Sequence, residues 1–214
     1  MASTTGRTRD VIFVIGAPGA GKGTLCKILA EVNDFEHLSI GDLLRQTVSS
    51  PNADKVMAGH IQRGELLPTD MILSTLKPHL KEASCCGAGQ TLLLDGFPRQ
   101  LDQAREFEAF GTPNLVLFFD CPEGIARERV ITRPSGRVGD TLEVFNKRHR
   151  EFRELNPPIL TYYGNHPNGK TIAIDTSRST GESYQALRTA LNSSREWLAL
   201  TFEPRRLATD GDGE

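Results

Sequence analysis

Val11-Ile12-Phe13-Val14-Ile15-Gly16-Ala17-Pro18-Gly19-Ala20-Gly21-Lys22-Gly23-Thr24 decides how the rest of the chain is read. The first five residues are apolar and largely β-branched, as a parallel strand buried on both faces requires. The segment that follows Thr24, Leu25-Cys26-Lys27-Ile28-Leu29-Ala30-Glu31-Val32, carries apolar residues at helical spacing. Strand, glycine-rich loop, lysine and helix in that order describe a phosphate-binding loop. Small residues let successive backbone N–H groups turn towards an anion, and the helix N-terminus adds partial positive charge. Lys22 supplies a point charge within reach of β- and γ-phosphates. The common motif places a hydroxyl directly after the lysine. Here Gly23 stands there and Thr24 follows, so the usual direct Mg²⁺ ligand is displaced.

A chain of 214 residues suits one α/β domain with a modest insertion. Its formal net charge of −2 argues against a nucleic-acid surface, which needs a basic face. No apolar run reaches membrane length, and residues 1–9 lack the apolar core of a signal peptide. Cys26, Cys85, Cys86 and Cys121 have no paired zinc-type spacing; Cys26 and Cys121 read as small buried hydrophobes, and a reducing interior suits all four. His37, His60, His79, His149 and His166 show no ligand spacing either, and are read as structural or exposed.

Strands are expected at 11–15, 36–39, 91–94, 115–119 and 171–174. Helices are expected near 22–32, 41–49, 53–63, 69–82, 100–109, 122–132, 141–163 and 180–200. Such alternation gives a parallel sheet with helices on both faces, five strands in this case. Ligands of such sheets bind beyond the strands' carboxyl ends, which puts Asp95 near the phosphate loop. Residues 10–200 form the domain, with a helical flap near 41–68. Residues 1–9 read as a flexible start, and 201–214 as a disordered acidic tail.

Three further segments follow the loop in order. They are His37-Leu38-Ser39-Ile40-Gly41-Asp42-Leu43-Leu44-Arg45, then Gly64-Glu65-Leu66-Leu67-Pro68, then Asp95-Gly96-Phe97-Pro98-Arg99. Together they resemble adenylate kinase and the related nucleoside monophosphate kinases, from about residue 10 to about residue 195. Leu117-Phe118-Phe119-Asp120-Cys121-Pro122-Glu123 resembles the UMP-CMP kinase branch, including fungal uridylate kinases.

The resemblance implies the three-layer fold of P-loop NTPases and transfer of the γ-phosphoryl of MgATP to a nucleoside monophosphate. Phosphoryl transfer needs alignment and charge stabilisation more than covalent help, and arginine forks grip phosphate oxygens in pairs. By the resemblance, ATP meets Gly16 to Thr24 (Gly16, Ala17, Pro18, Gly19, Ala20, Gly21, Lys22, Gly23, Thr24), with Arg129 and Arg133. The acceptor meets Ile40, Arg45, Glu65, Leu66, Leu67, Gly96, Arg99, Gln103, Arg137 and Arg148. Lys22, Arg99, Arg133, Arg137 and Arg148 would serve the moving phosphoryl group, and Asp95 would hold Mg²⁺ through water. Arg129 and Arg133 are four apart and are expected on one helix face.

The lid, near 133–141, is of the short form. Arg133-Pro134-Ser135-Gly136-Arg137 is two residues shorter than the usual Arg-Gly-Glu-x-Ser-Gly-Arg, and Gly139 replaces a usual acid. Base choice stays open between two readings. Ile40 is bulkier than the alanine or threonine usual there, which favours UMP or CMP. Gln103 is typical of AMP kinases, though a carboxamide pairs with either kind of base edge by flipping. Two rivals to the whole reading are a P-loop kinase of a non-nucleotide metabolite and a catalytically impaired relative acting as a regulator. The expected partners are small-molecule nucleotides alone, with no nucleic acid and no membrane. The expected state is a monomer in the cytoplasm, and also in the nucleus.

Overall fold

Val11–Gly16 (β1) forms the middle of a five-stranded sheet in a computed structural model that describes residues 10–49, 55–82, 90–133, 140–166 and 170–202. The other strands are Glu36–Ser39 (β2), Leu92–Asp95 (β3), Leu115–Asp120 (β4) and Thr171–Asp175 (β5). They lie in the order β2-β3-β1-β4-β5, and every pairing is parallel. The chain therefore crosses from one side of β1 to the other. That arrangement leaves a crevice at the carboxyl ends of the strands, where the chain order reverses.

Side chains alternate across the sheet with period two, and two cores result. Ile12, Val14, Leu93, Leu115 and Leu117 face helix Lys22–Asn33 (α1) and the C-terminal helices. Val11, Phe13, Ile15, Leu92, Leu94 and Val116 face the opposite way. On that side stand Ile40–Ser49 (α2), Lys55–Gln62 (α3), Thr69–Glu82 (α4), Leu101–Phe107 (α5) and Leu142–Gly164 (α7). Phe13 anchors this second core, with edge-on contacts to Phe97, Phe107 and Tyr163. Glu123–Ile131 (α6) follows β4. Residues 41–90 contain no strand among those described, as a helical excursion between β2 and β3 requires.

One helix departs from expectation. The span 180–200 is two helices, Thr180–Asn192 (α8) and Arg195–Phe202 (α9). Ser194 makes the break: its Oγ accepts the Trp197 N–H at 3.3 Å, so the hydroxyl replaces a helix carbonyl and starts a new helix. The new direction packs Trp197 edge-on against Phe35, at 5.6 Å between ring centres. Among the described residues no helix is long and apolar enough to cross a membrane. The expected flexible start at 1–9, most of the acidic tail, Cys85, Cys86 and most of the lid, Pro134 to Gly139, lie outside the described residues.

Candidate active site

The phosphate loop is held against the sheet by close packing. Gly19 has φ +83°, and a Cβ there would lie 2.1 Å from the Ala126 carbonyl oxygen of α6. No side chain fits, and the backbone conformation favours glycine as well. Ala17 and Ala20 are buried beneath the loop, while Pro18 and Gly16 are half-buried and Thr24 is exposed. Gly21, also at positive φ, precedes the first turn of α1.

Lys22 folds back over the loop. Its Nζ donates to the carbonyl oxygens of Gly16 at 2.7 Å and Ala17 at 2.9 Å. Loss of bulk water lowers its pKa, and the Asp95 carboxylate works against that shift.

Asp95 ends β3 and is 6% exposed. A Cβ at Gly23 would stand 3.5 Å from its Oδ2, in ordinary contact, so the loop backbone passes close to the carboxylate. One hard oxygen donor beside the phosphate loop suits a cation that keeps most of its own water, as Mg²⁺ does.

Beyond Asp95 the chain turns sharply. Gly96 has φ +81°, and the Phe97–Pro98 peptide is cis. Arg99 emerges from this turn, and its Nε donates to the Gly96 carbonyl at 3.0 Å. Its side chain opens into the crevice, yet the walls thin the surrounding water. That desolvation lowers its pKa first, and the charges of Arg148 and Arg45 lower it further. Arg148, on α7, is likewise lowered by desolvation; Asp140 opposes this, and Arg45 and Arg133 add to it. Arg99 also repels the Lys22 ammonium, as does Arg133. The structure thus brings Lys22, Arg45, Arg99, Arg133 and Arg148 around one space from separate elements. Arginine stays ionised throughout the physiological range, so these charges favour an anion between them.

Two of the cations are held by carboxylates. Arg45 pairs with Asp42 on α2, and Arg133 Nη1 lies 3.1 Å from Asp140 Oδ2. Arg129 differs from the arrangement expected of it. It donates to the Thr176 carbonyl at 2.7 Å and to the Arg178 carbonyl, pinning the loop after β5. Arg133 lies beyond α6, which ends at Ile131, so the two do not share a helix face. Arg137 lies outside the described residues.

On the acceptor side, Gln103 is 2% exposed, and its Oε1 accepts the Arg99 N–H at 2.8 Å. A backbone N–H can only donate, so this bond fixes which carboxamide end is the oxygen and removes the free flip. Ile40 is 2% exposed and belongs to the second core rather than to an open wall. Leu67 is buried and Leu66 half-buried. Glu65 is engaged within the flap: Arg63 Nη2 lies 2.8 Å from its Oε2 and His60 Nδ1 3.3 Å, while Lys147 of α7 lies 3.6 Å from its Oε1.

His37, read from sequence as bland, lies on this site. Its Nε2 is 3.5 Å from Asp95 Oδ2. The only signal for it is the β2–β3 register, which pairs His37 with Leu93 and Ser39 with Asp95 and so turns His37 and Asp95 to one face. A single sequence does not reveal that register.

A phosphate loop at the switch point of a parallel sheet, ringed by converging cations, defines a phosphotransferase of the nucleoside monophosphate kinase class. The adenylate kinase family model matches residues 14–168, and the chain belongs to that family. It is similar to the uridylate kinase of Saccharomyces cerevisiae, 36% identical over 86% of this chain and 92% of that protein. UMP-CMP kinase 3 of Arabidopsis thaliana is 32% identical over 91% of this chain and 95% of its own length. Adenylate kinase 1 of Schistosoma mansoni is 41% identical over 78% of this chain and 85% of its own length.

Proposed function

We propose that the chain transfers the γ-phosphoryl of MgATP to UMP or CMP, giving ADP and the nucleoside diphosphate. The observation that carries this is the convergence of Lys22, Arg45, Arg99, Arg133 and Arg148, from separate elements, beside the phosphate loop, close enough that Arg99 acts on Lys22 and Arg148 on Arg99. A cluster with more cations than carboxylates favours polyanions, and two phosphate chains end to end supply them. On this reading Lys22 leaves the Gly16 and Ala17 carbonyls for the β- and γ-phosphates. Arg45 and Arg99 hold the acceptor phosphate in line. Arg148, Arg133 and Arg137 spread the charge of the group in transit. No general base is needed, because the attacking phosphate oxygen is already anionic. Asp95 would hold hydrated Mg²⁺, which neutralises phosphate charge. The chain would act on small-molecule nucleotides as a cytoplasmic monomer.

Base preference follows the segment Leu117 to Glu123, which resembles the UMP-CMP kinase branch, and the similarity to proteins named uridylate kinase and UMP-CMP kinase. AMP is the second reading, supported by Gln103 and by similarity to a protein named adenylate kinase. Initial rates with ATP and UMP, CMP or AMP, read as nucleoside diphosphate formed, test both. The pyrimidine nucleotides should show the higher kcat/KM. AMP as best substrate would overturn the preference; no transfer to any of the three would overturn the function.

A further inference from the structure

Three side chains of different chemistry meet beneath the phosphate loop. Cys26 of α1, His37 of β2 and Asp95 of β3 each offer one donor atom, and those atoms lie within 4.8 Å of one another. All three are withdrawn from solvent: Cys26 is 0% and Asp95 6% exposed, and the His37 side chain 12%. His37 Nε2 is buried and makes no hydrogen bond. A buried ring nitrogen without a hydrogen bond is rare enough to need a reason. Its 3.5 Å separation from Asp95 Oδ2 is near the roughly 3.3 Å that separates two donors on one tetrahedral cation with bonds of about 2.0–2.1 Å.

We propose that Cys26, His37 and Asp95 form a binding site for a thiophilic divalent cation of the Zn²⁺ class, and that its occupancy silences the kinase by withdrawing Asp95 from the phosphate site. One thiolate, one imidazole and one carboxylate make a donor set that suits Zn²⁺. Mg²⁺ is discriminated against, because it takes oxygen ligands in octahedral geometry and parts with its water reluctantly. The three donor atoms, within 4.8 Å of one another, draw together on the cation, and three protein ligands leave a fourth position for water or a phosphate oxygen. Binding releases the thiol proton to solvent, and no other bond changes. Gly23 is the loop residue nearest this cluster: a Cβ there would stand 3.5 Å from Asp95 Oδ2. The inhibitory half of the proposal rests on the kinase reading above; the binding half does not.

The test uses the full chain without nucleotide, titrated with Co²⁺ as a visible stand-in and then with Zn²⁺. One equivalent of Co²⁺ should produce a thiolate-to-metal charge-transfer band that one equivalent of Zn²⁺ bleaches and excess Mg²⁺ does not. Cys26→Ala should lack the band and weaken Zn²⁺ binding by about tenfold or more, and His37→Ala should weaken it comparably. Alanine replaces the thiol with another small apolar group, and a thermal melt confirms folding. In initial-rate assays Zn²⁺ should inhibit the unmodified enzyme, with the inhibiting concentration raised by the same factor in Cys26→Ala. Turnover without Zn²⁺ should be unchanged by that substitution. No band in the unmodified chain, a band that survives Cys26→Ala, or Zn²⁺ binding without inhibition would each overturn the proposal. A metal band in a chain without kinase activity leaves the binding half standing and fails the kinase reading. Activity without a band does the reverse.

Discussion

Lys22 shows how one residue serves two states. Without nucleotide its ammonium satisfies two loop carbonyls, Gly16 and Ala17, that would otherwise crowd their dipoles together. Removing the charge should therefore act twice. Lys22→Met should lower kcat by about a hundredfold or more, as loss of a preorganised cation does. It should also destabilise the nucleotide-free fold, by about 1 kcal/mol, through the lost hydrogen bonds. Turnover beside a denaturant melt checks both, and activity within a few-fold of the original would remove Lys22 from the chemistry. Gly19 is more constrained. Its Cβ position lies 2.1 Å from the Ala126 carbonyl oxygen, which is backbone and unable to step aside. Gly19→Ala should cost about 2 kcal/mol or more in an equilibrium unfolding experiment, by forcing the loop off α6. Both residues are legible in the sequence because loop, lysine and helix are contiguous. The partners of Arg129 are not. They are carbonyls at Thr176 and Arg178, separated from it by 47 and 49 residues, and only the tertiary fold brings them near. His37 escapes notice for the same reason, since its neighbours come from α1 and β3.

At the scale of elements, the flap is docked onto α7. Gly64, at φ +66°, lies so close that a Cβ would stand 3.1 Å from Val144 and 3.3 Å from the Arg148 Nε. Lys147 Nζ donates to the Arg63 carbonyl at 3.0 Å and lies near Glu65. These links join an acceptor-side element to the helix that carries Arg148. Lys147→Ala should raise amide hydrogen exchange across 55–68 while leaving exchange in the sheet unchanged; an unchanged flap would show that the link is incidental. The hydrogen bond from Arg63 holds the Glu65 carboxyl below its ordinary pKa, with Lys147 and His60 adding to the effect. A carboxyl with a lowered folded-state pKa contributes above its unfolded pKa and loses that contribution as pH falls through the folded one. Flap protection should therefore persist at neutral pH and fade only below about pH 4.5. The central strands β1, β3 and β4 are readable from apolar runs and the helix positions from their spacing, whereas the edge strand β2, Glu36-His37-Leu38-Ser39, carries no such run. Nor is the break at Ser194 readable, because a serine reads equally as a helix interior or a cap until its hydroxyl finds Trp197.

Taken as one molecule, the cations are distributed so that no single substrate satisfies them all. Lys22 and Arg133 oppose one another on the phosphate-loop side, Arg45 and Arg99 oppose Arg148 on the acceptor side, and Arg148 also faces Arg133. A nucleoside triphosphate analogue neutralises one end and leaves the other strained. A two-headed dinucleotide, with bases joined through a chain of phosphates, would satisfy both ends. It should therefore raise protection both in the flap near 41–68 and at Arg133 and Asp140, closing the crevice and excluding water from the phosphates. Hydrogen exchange in three states reads this directly. The triphosphate analogue alone should protect the phosphate loop and the C-terminal end of α6. The dinucleotide should add protection at 55–68 and along the first turns of α7, and at a hundredfold excess over its Kd should stabilise the fold by about 2.7 kcal/mol. Equal protection of the flap with either ligand would mean that closure does not depend on the acceptor side. The cation ring would then bind phosphate without coupling the two halves of the site.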